Sequence, residues 1–135
     1  MFGQPLARAV IAGQRLGIFE RLAREPGDAG ALAAELSLQA DGTRLLCEVL
    51  VSEGHLVRDG GRYALSKRSR RWLDPASEDS MGHFIEGNAN FWEWWGRLED
   101  VVRTGEYVQI HEADPADPIW RTYIRGQFDS NWPRM

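Results

Sequence analysis

Three histidines and their acidic neighbours are the first residues in the sequence that could bind a metal ion. His83 and Glu86 lie three residues apart in a segment with helical periodicity, and His111 is followed directly by Glu112. A closed metal site needs three or four converging ligands, and a solvent-facing pair of this kind is usually structural. We therefore expect no metal site in this chain.

The sequence also argues against a cysteine nucleophile and a phosphate-binding loop. Cys47 falls on the inward side of an apolar helical segment, with no histidine or basic residue placed to lower its pKa. Gly13 and Gly17 lack the strand-to-helix context and the spacing of glycine-rich phosphate loops, as do Gly60 and Gly61. A single cysteine cannot form an internal disulfide, which is typical of a reducing compartment.

Aromatic side chains are concentrated in one short segment. Phe91, Trp92, Trp94 and Trp95 occupy almost a full turn of a predicted helix, so they cannot all face one small core. Contiguous exposed aromatic surface usually marks a contact site. Packing between two helices explains part of this cluster, and we expect at least one ring to face a partner, a ligand pocket or solvent.

The elements that would position these side chains are mostly helices. An apolar segment from Gln4 to Leu16 predicts a first helix, in which Leu6, Val10 and Ile11 leave little surface for solvent. Such a helix near a terminus must be covered on more than one side. The cover could come from the rest of the domain or from a second chain.

The segment from about residue 17 to residue 73 has the pattern of a winged helix-turn-helix. Asp28 can cap one helix, and Gly54 stands in the usual glycine position beyond the end of the next. The glycines of an Asp-Gly-Gly turn supply the positive φ angles of a tight hairpin. The predicted elements are a helix at about 18–23, a helix at 29–36, a helix at about 41–51 and a hairpin turning at 59–61.

Three further helices are predicted after the hairpin. They are a short basic helix near 67–73, a long helix at about 80–104 and a C-terminal helix at about 117–132. The predicted fold class is mainly α, a helical bundle built around a winged helix-turn-helix with one short β-hairpin. We assign residues 1–135 to a single domain.

A winged helix raises nucleic-acid binding as a function. The helix that would enter the major groove offers Arg44 against Glu48 and Glu53, whose carboxylates would repel phosphates. The basic run at 67–71 is a better phosphate-binding candidate, although such runs are more often solvated helix faces. The net charge of −4 is also far from a strongly basic footprint. We therefore expect no nucleic-acid partner.

The length and composition exclude several other classes of protein. No apolar run approaches the roughly 18 residues that a membrane span needs, and no secretion signal is present at the N-terminus. We expect a soluble cytoplasmic protein with no membrane partner. A chain of 135 residues is also too short for an α/β nucleotide-binding domain together with anything else.

A resemblance to a known family covers nearly the whole chain. It rests on the ordered runs GIFERLA, ALAAEL, GTRLLCEVLVSEGHLVRDGGRYALS and WWGRLEDVVRTGE, followed by a final Trp/Tyr-rich helix. This order resembles the N-terminal dimerisation domain of S-adenosylmethionine (SAM)-dependent small-molecule O-methyltransferases. The resemblance implies a winged helix that does not read DNA, an interlocked homodimer and helices that contribute to the wall of an acceptor pocket.

The resemblance also implies roles for individual residues. It places three side chains of the first helix in the dimer interface: Leu6, Val10 and Ile11. It makes five aromatic residues candidates for the interface or for a pocket that binds a small aromatic acceptor: Phe91, Trp92, Trp95, Trp120 and Tyr123.

The family's catalytic machinery has no match in this sequence. Its glycine-rich cofactor loop, its acidic ribose-binding residue and its catalytic histidine lie in a second, Rossmann-like domain. His55, His83 and His111 do not match that histidine. The resemblance implies SAM as the cofactor of the parent enzyme, and we expect this chain alone neither to bind SAM nor to transfer a methyl group.

Three hypotheses follow from these observations. The first is a dimerisation and pocket-wall domain of a SAM-dependent O-methyltransferase that acts on a small aromatic or polyketide-like acceptor. The second is a winged-helix regulator that binds DNA or a small aromatic effector. The third is a stand-alone pairing subunit for a separate methyltransferase.

Overall fold

The computed structural model describes residues 3–107 and 110–131, which form eight α-helices, one 3-10 turn and one hairpin. The elements are α1 (Gly3–Arg15), α2 (Ile18–Arg24), α3 (Ala29–Leu36), α4 (Ala40–Ser52), β1 (Leu56–Asp59), β2 (Arg62–Leu65), α5 (Lys67–Trp72), α6 (Gly82–Trp95), α7 (Leu98–Thr104), the 3-10 turn Ile110–Glu112 and α8 (Ile119–Asn131). The predicted fold class, mainly α with one short hairpin, is confirmed.

Side-chain caps set the ends of the helices in the winged helix-turn-helix. The Asp28 carboxylate accepts a hydrogen bond from the Ala31 N–H at 2.9 Å, as its position before α3 predicts. Ser66 caps α5 in the same way, accepting from the Ser69 N–H. Beyond α4, Gly54 has a φ of +71°, the left-handed conformation that favours glycine there.

The hairpin closes over the helices as the wing. Leu56 pairs with Leu65 and Asp59 with Arg62, and the turn places Gly60 and Gly61 at φ values of +53° and +81°. Two positive φ angles in succession are the geometry of a type I′ turn, so glycine is required by the backbone here.

The core lies inside the winged helix-turn-helix. Ten residues there pack together in one cluster and are at most 3% exposed: Ile18, Phe19, Leu22, Leu32, Cys47, Leu50, Leu56, Tyr63, Leu65 and Leu73. Cys47 is fully buried, and burial raises the pKa of its thiol to about 11. The prediction that Cys47 is buried is therefore confirmed.

The prediction of a single long helix at about 80–104 is wrong in one respect, because the helix is interrupted at Gly96 and Arg97. The Arg97 N–H donates to the Trp94 carbonyl, three residues back, and Arg97 has φ −103° and ψ 9°. Glycine costs about 1 kcal/mol relative to alanine inside a helix, so Gly96 is a position at which a helix is easily interrupted. The second part, α7, ends at Gly105 with φ +75°.

The last helix packs across α6 at close range. A Cβ on Gly126 would lie 3.4 Å from the Cα of Phe84, so the two helix backbones approach closely there. Asp129 is 7% exposed, and its carboxylate accepts from the Phe84 N–H at 3.1 Å, which caps the first turn of α6. The predicted helix at 117–132 corresponds to α8, and Trp132 lies outside the described residues.

In the part of the chain that the structure describes, no helix combines the length and the apolar character needed to cross a bilayer.

Candidate functional site

An apolar groove of about 730 Å³ runs between α1 and α6. Among the described residues that line it, none is charged, and the side-chain amides are those of Gln4 and Asn88. The other lining residues are Ala7, Val10, Ile11, Phe84, Ile85, Phe91, Trp92 and Trp95.

Three of the five aromatic pocket candidates meet in this groove. Phe91, Trp92 and Trp95 are 40%, 36% and 68% exposed, respectively. Phe84, Asn88, Phe91 and Trp95 follow one another at spacings of four, three and four, which places them on one face of α6. The face of α6 turned toward α1 therefore presents aromatic surface that the described fold leaves open.

The other two aromatic candidates lie elsewhere, beside the 3-10 turn. The rings of Trp120 and Tyr123 meet edge to face at 6.2 Å, and each lies about 6 Å from the His111 ring. The Trp120 indole N–H donates to the Asp114 carbonyl at 3.0 Å. Of the predicted set, only the three residues of α6 line the groove, while Tyr123 and Phe91 share a small cavity between α6 and α8.

The three predicted interface residues of α1 differ in their environments. Ile11 is 5% exposed, and Val10 packs against the core, so both are largely covered within the chain and both line the groove. Leu6 is half-buried and is not among the lining residues. The cover that the first helix requires comes in part from α6, α2 and α4.

Sequence reasoning missed several residues of the groove. Gln4, Ala7, Phe84, Ile85 and Asn88 were not predicted as site residues. The spacing of Phe84 and Asn88 from Phe91 and Trp95 was a signal for two of them. No local pattern indicated which residues of α1 would face α6, because that depends on how two segments some 70 residues apart are packed.

The groove is suited to binding rather than to acid–base chemistry. None of the described residues that line it is titratable, so it offers apolar contact and hydrogen bonds from side-chain amides and indole N–H groups. His83 and His111 are the histidines at which the sequence analysis considered a metal site. His83 faces Asp129, with Nδ1 and Oδ1 3.5 Å apart. Across the described residues, no three histidine, cysteine or acidic side chains converge as a metal site would require.

Several side chains on the surface that would read DNA in a winged helix are held by contacts within the chain. The Arg58 guanidinium lies 2.8 Å from the Glu48 carboxylate, which also accepts a hydrogen bond from the Tyr63 hydroxyl. These contacts hold the pKa of Glu48 below its usual range, the Tyr63 hydroxyl being the main cause. Arg68 donates to the Glu53 carbonyl at 2.8 Å. A nucleic-acid regulator is therefore not favoured.

A second exposed apolar surface lies beyond the groove, on α7 and the residues that follow it. Its large side chains are between 45% and 77% exposed, and we call them the C-terminal apolar surface: Leu98, Val102 and Tyr107. A shallow depression that contains Phe91, Trp95, Leu98 and Tyr107 connects the groove with this surface.

Comparison with known proteins agrees with this architecture. Human acetylserotonin O-methyltransferase is 31% identical over 136 residues, which cover 93% of this chain and 39% of that protein. The crystal structure of human N-acetylserotonin methyltransferase in complex with SAM has a TM-score of 0.71 at 27% identity, covering 94% of this chain and 39% of that one. The structure of mitomycin 7-O-methyltransferase has a TM-score of 0.76 at 26% identity, covering 95% and 41%.

The chain thus spans about two fifths of the length of these relatives. The family described as the O-methyltransferase dimerisation domain matches residues 2–75, more than half of the chain. Its helices and its wing agree with this match, and the chain therefore belongs to the O-methyltransferase dimerisation domain family.

Proposed function

We propose that this chain pairs two subunits of a SAM-dependent O-methyltransferase and forms one wall of a pocket for a small aromatic acceptor. The observation that carries the proposal is the groove between α1 and α6, which is apolar, aromatic and open. The reaction of the parent enzyme would be attack of an acceptor hydroxyl on the methyl group of SAM, assisted by a general base outside this chain.

The dimensions and lining of the groove support a small-molecule occupant. Ligand pockets typically enclose about 300–1,000 Å³ and combine apolar walls with a few polar groups. The groove has a volume of about 730 Å³ and contains the rings of Phe84, Phe91, Trp92 and Trp95. Offset or edge-to-face contacts with these rings favour a planar aromatic ligand.

The described residues do not fit SAM itself. The cofactor carries an ammonium, a carboxylate and a ribose diol, which need charged or strongly polar partners. The lining of the groove is uncharged and offers two amides, Gln4 and Asn88. We infer that the parent enzyme binds its cofactor outside the part of the chain described here.

Filling the groove tests the ligand proposal. Ala7 is exposed on α1 and lines the groove, so Ala7→Phe would occupy the space without entering the core. We expect tryptophan fluorescence titrations with 2-naphthol to show about tenfold weaker binding by this variant, a difference of about 1.4 kcal/mol.

The matched control is Ala34→Phe, which adds the same ring at an exposed position of α3. Binding of 2-naphthol should be unchanged in this variant. If the two variants bind equally well, the groove is not the ligand site.

We infer that pairing of two copies covers the C-terminal apolar surface together with the exposed side of α1. Val102 is 77% exposed and Leu98 is 45% exposed, an arrangement that costs free energy unless a partner covers it. The membership of a dimerisation family supports a second copy as that partner. Of the three predicted interface residues of α1, Leu6 is the one that does not line the groove, and it supports such a contact.

Charged substitutions test the pairing surface. We expect Val102→Asp to shift the chain from dimer to monomer in sedimentation equilibrium, with at least a tenfold increase in the dimer dissociation constant. Leu6→Asp should act in the same direction if α1 takes part. Val57→Asp is the control, because Val57 is 50% exposed on the wing, away from both surfaces. A wild-type chain that is monomeric at tens of micromolar would refute the proposal.

We also infer that the protein functions in the cytoplasm. The support is its single thiol, which is free and fully buried, so nothing in the described fold depends on oxidation.

A further inference from the structure

Asn88 is the one residue of α6 lining the groove whose side chain carries a hydrogen-bond acceptor. It stands one turn after Phe84 and one turn before Trp92, and it is half-buried. Gln4, the other amide in the lining, is exposed near the start of α1 and can remain solvated. Any ligand that fills the groove therefore meets Asn88 within largely apolar surroundings.

The orientation of the Asn88 amide follows from its hydrogen bond. Nδ2 donates to the Phe84 carbonyl at 2.7 Å. A carbonyl oxygen can only accept, so the nitrogen must face the helix backbone and Oδ1 must be the free end. No described residue donates a hydrogen bond to this oxygen, which leaves its acceptor capacity available.

A free acceptor in an apolar groove discriminates between ligands. Water can satisfy Oδ1 while the groove is open, but a ring that fills the groove displaces that water. A ligand without a donor then leaves the oxygen unpaired, which weakens binding, whereas a ligand with a hydroxyl or N–H replaces the lost bond. Sites built on a hydrogen bond reject the analogue that lacks the donor.

We propose that Asn88 Oδ1 is a specificity-determining acceptor that selects aromatic ligands carrying a hydroxyl or N–H donor over equally shaped ligands without one. This deepens the proposed function, since it rests on the groove being a ligand site. Asn88 positions the ligand and supplies no proton.

Two probes of similar shape test the proposal on the 135-residue chain. 2-Naphthol carries a donor, and 2-methoxynaphthalene has the same ring system without one. We expect the wild-type chain to bind 2-naphthol about fivefold to tenfold more tightly, the range that one net hydrogen bond supplies.

The nearly isosteric variant Asn88→Leu should bring the affinity ratio of the two probes close to one, mainly by weakening 2-naphthol. Asn88→Ala should also abolish the preference, and it provides a second test in case the leucine disturbs packing. The matched control is Asn90→Leu, because Asn90 lies on the same helix and lines a small cavity against α8 instead of the groove.

The outcomes separate this proposal from the one on which it rests. If both probes bind the wild-type chain equally, or if its preference survives in both Asn88 variants, the role of Asn88 is overturned while the ligand groove stands. Asn88 also borders the small cavity against α8, and a purely structural role there would lower stability without changing the ratio. If neither probe binds the wild-type chain, both proposals fail.

Discussion

The winged helix-turn-helix and the C-terminal helices use aromatic and aliphatic side chains in opposite ways. Phe19 is fully buried among α1, α2 and α4, whereas Phe91, the same residue type, is 40% exposed on α6. The first region encloses its apolar groups inside one chain, and the second leaves them at the surface. Burial within the chain contributes to folding, while surface left open is available to a ligand or a second copy.

The largest expected effect comes from alanine substitutions that compare the two regions directly. Phe19→Ala should lower the free energy of unfolding by about 3–5 kcal/mol, because it removes a ring from a closed core and leaves a cavity. Phe91→Ala should cost less, about 1–2 kcal/mol, since Phe91 is 40% exposed in the folded chain. Urea denaturation of the two variants measures both values. Equal losses would show that the regions do not differ as described.

Two glycine substitutions should act in opposite directions. A Cβ at Gly13 would lie 2.9 Å from the Phe19 ring and 3.2 Å from Leu50, so Gly13→Ala overpacks the core and should cost about 1–3 kcal/mol. A Cβ at Gly87 would meet Thr122 at 3.7 Å, an ordinary contact, so Gly87→Ala should stabilise the chain by about 0.5–1 kcal/mol. Thermal unfolding of both variants provides the test. Destabilisation by Gly87→Ala would mean that α6 and α8 are packed as tightly as the core.

The smallest effect concerns pH. His55 is half-buried beside the Phe19 ring, and desolvation, followed by the nearby Arg68, lowers the pKa of its imidazole from the usual 6.5. The unfolded chain therefore takes up a proton more readily than the folded one. The free energy of unfolding that the neutral His55 contributes is fully present above pH 6.5. It falls as the pH decreases through that value toward the lower pKa of His55 in the folded state.

His55→Gln should accordingly make the urea midpoint less dependent on pH between about 7.5 and 5.5. His111→Gln is the control, because His111 is exposed in the C-terminal region. If His55→Gln leaves the pH dependence intact, burial of His55 is not its cause.

Much of the winged helix-turn-helix could be predicted from local signals. Asp28 caps α3, Gly54 follows α4, and Gly60 and Gly61 turn the hairpin, each because the backbone at that point requires a particular side chain or φ angle. These requirements act over a few residues, so they can be read without knowledge of the fold.

The candidate site was predicted less completely. The surplus of aromatic residues on α6 indicated a contact surface, but the sequence did not show that Trp120 and Tyr123 lie outside the groove. The interruption at Gly96 was missed as well, because a glycine lowers helix stability without specifying whether tertiary packing tolerates it.

The sequence by itself determined the local elements, the family and the excess of apolar surface, since periodicity and turn chemistry depend on near neighbours. Only the tertiary structure decided which face of α6 meets α1 and which meets α8. Asp129 caps the first turn of α6 from 45 residues away, and Asn88 lines a groove whose other wall is a helix near the N-terminus. Such pairings depend on how separate segments pack in three dimensions, which no local pattern encodes.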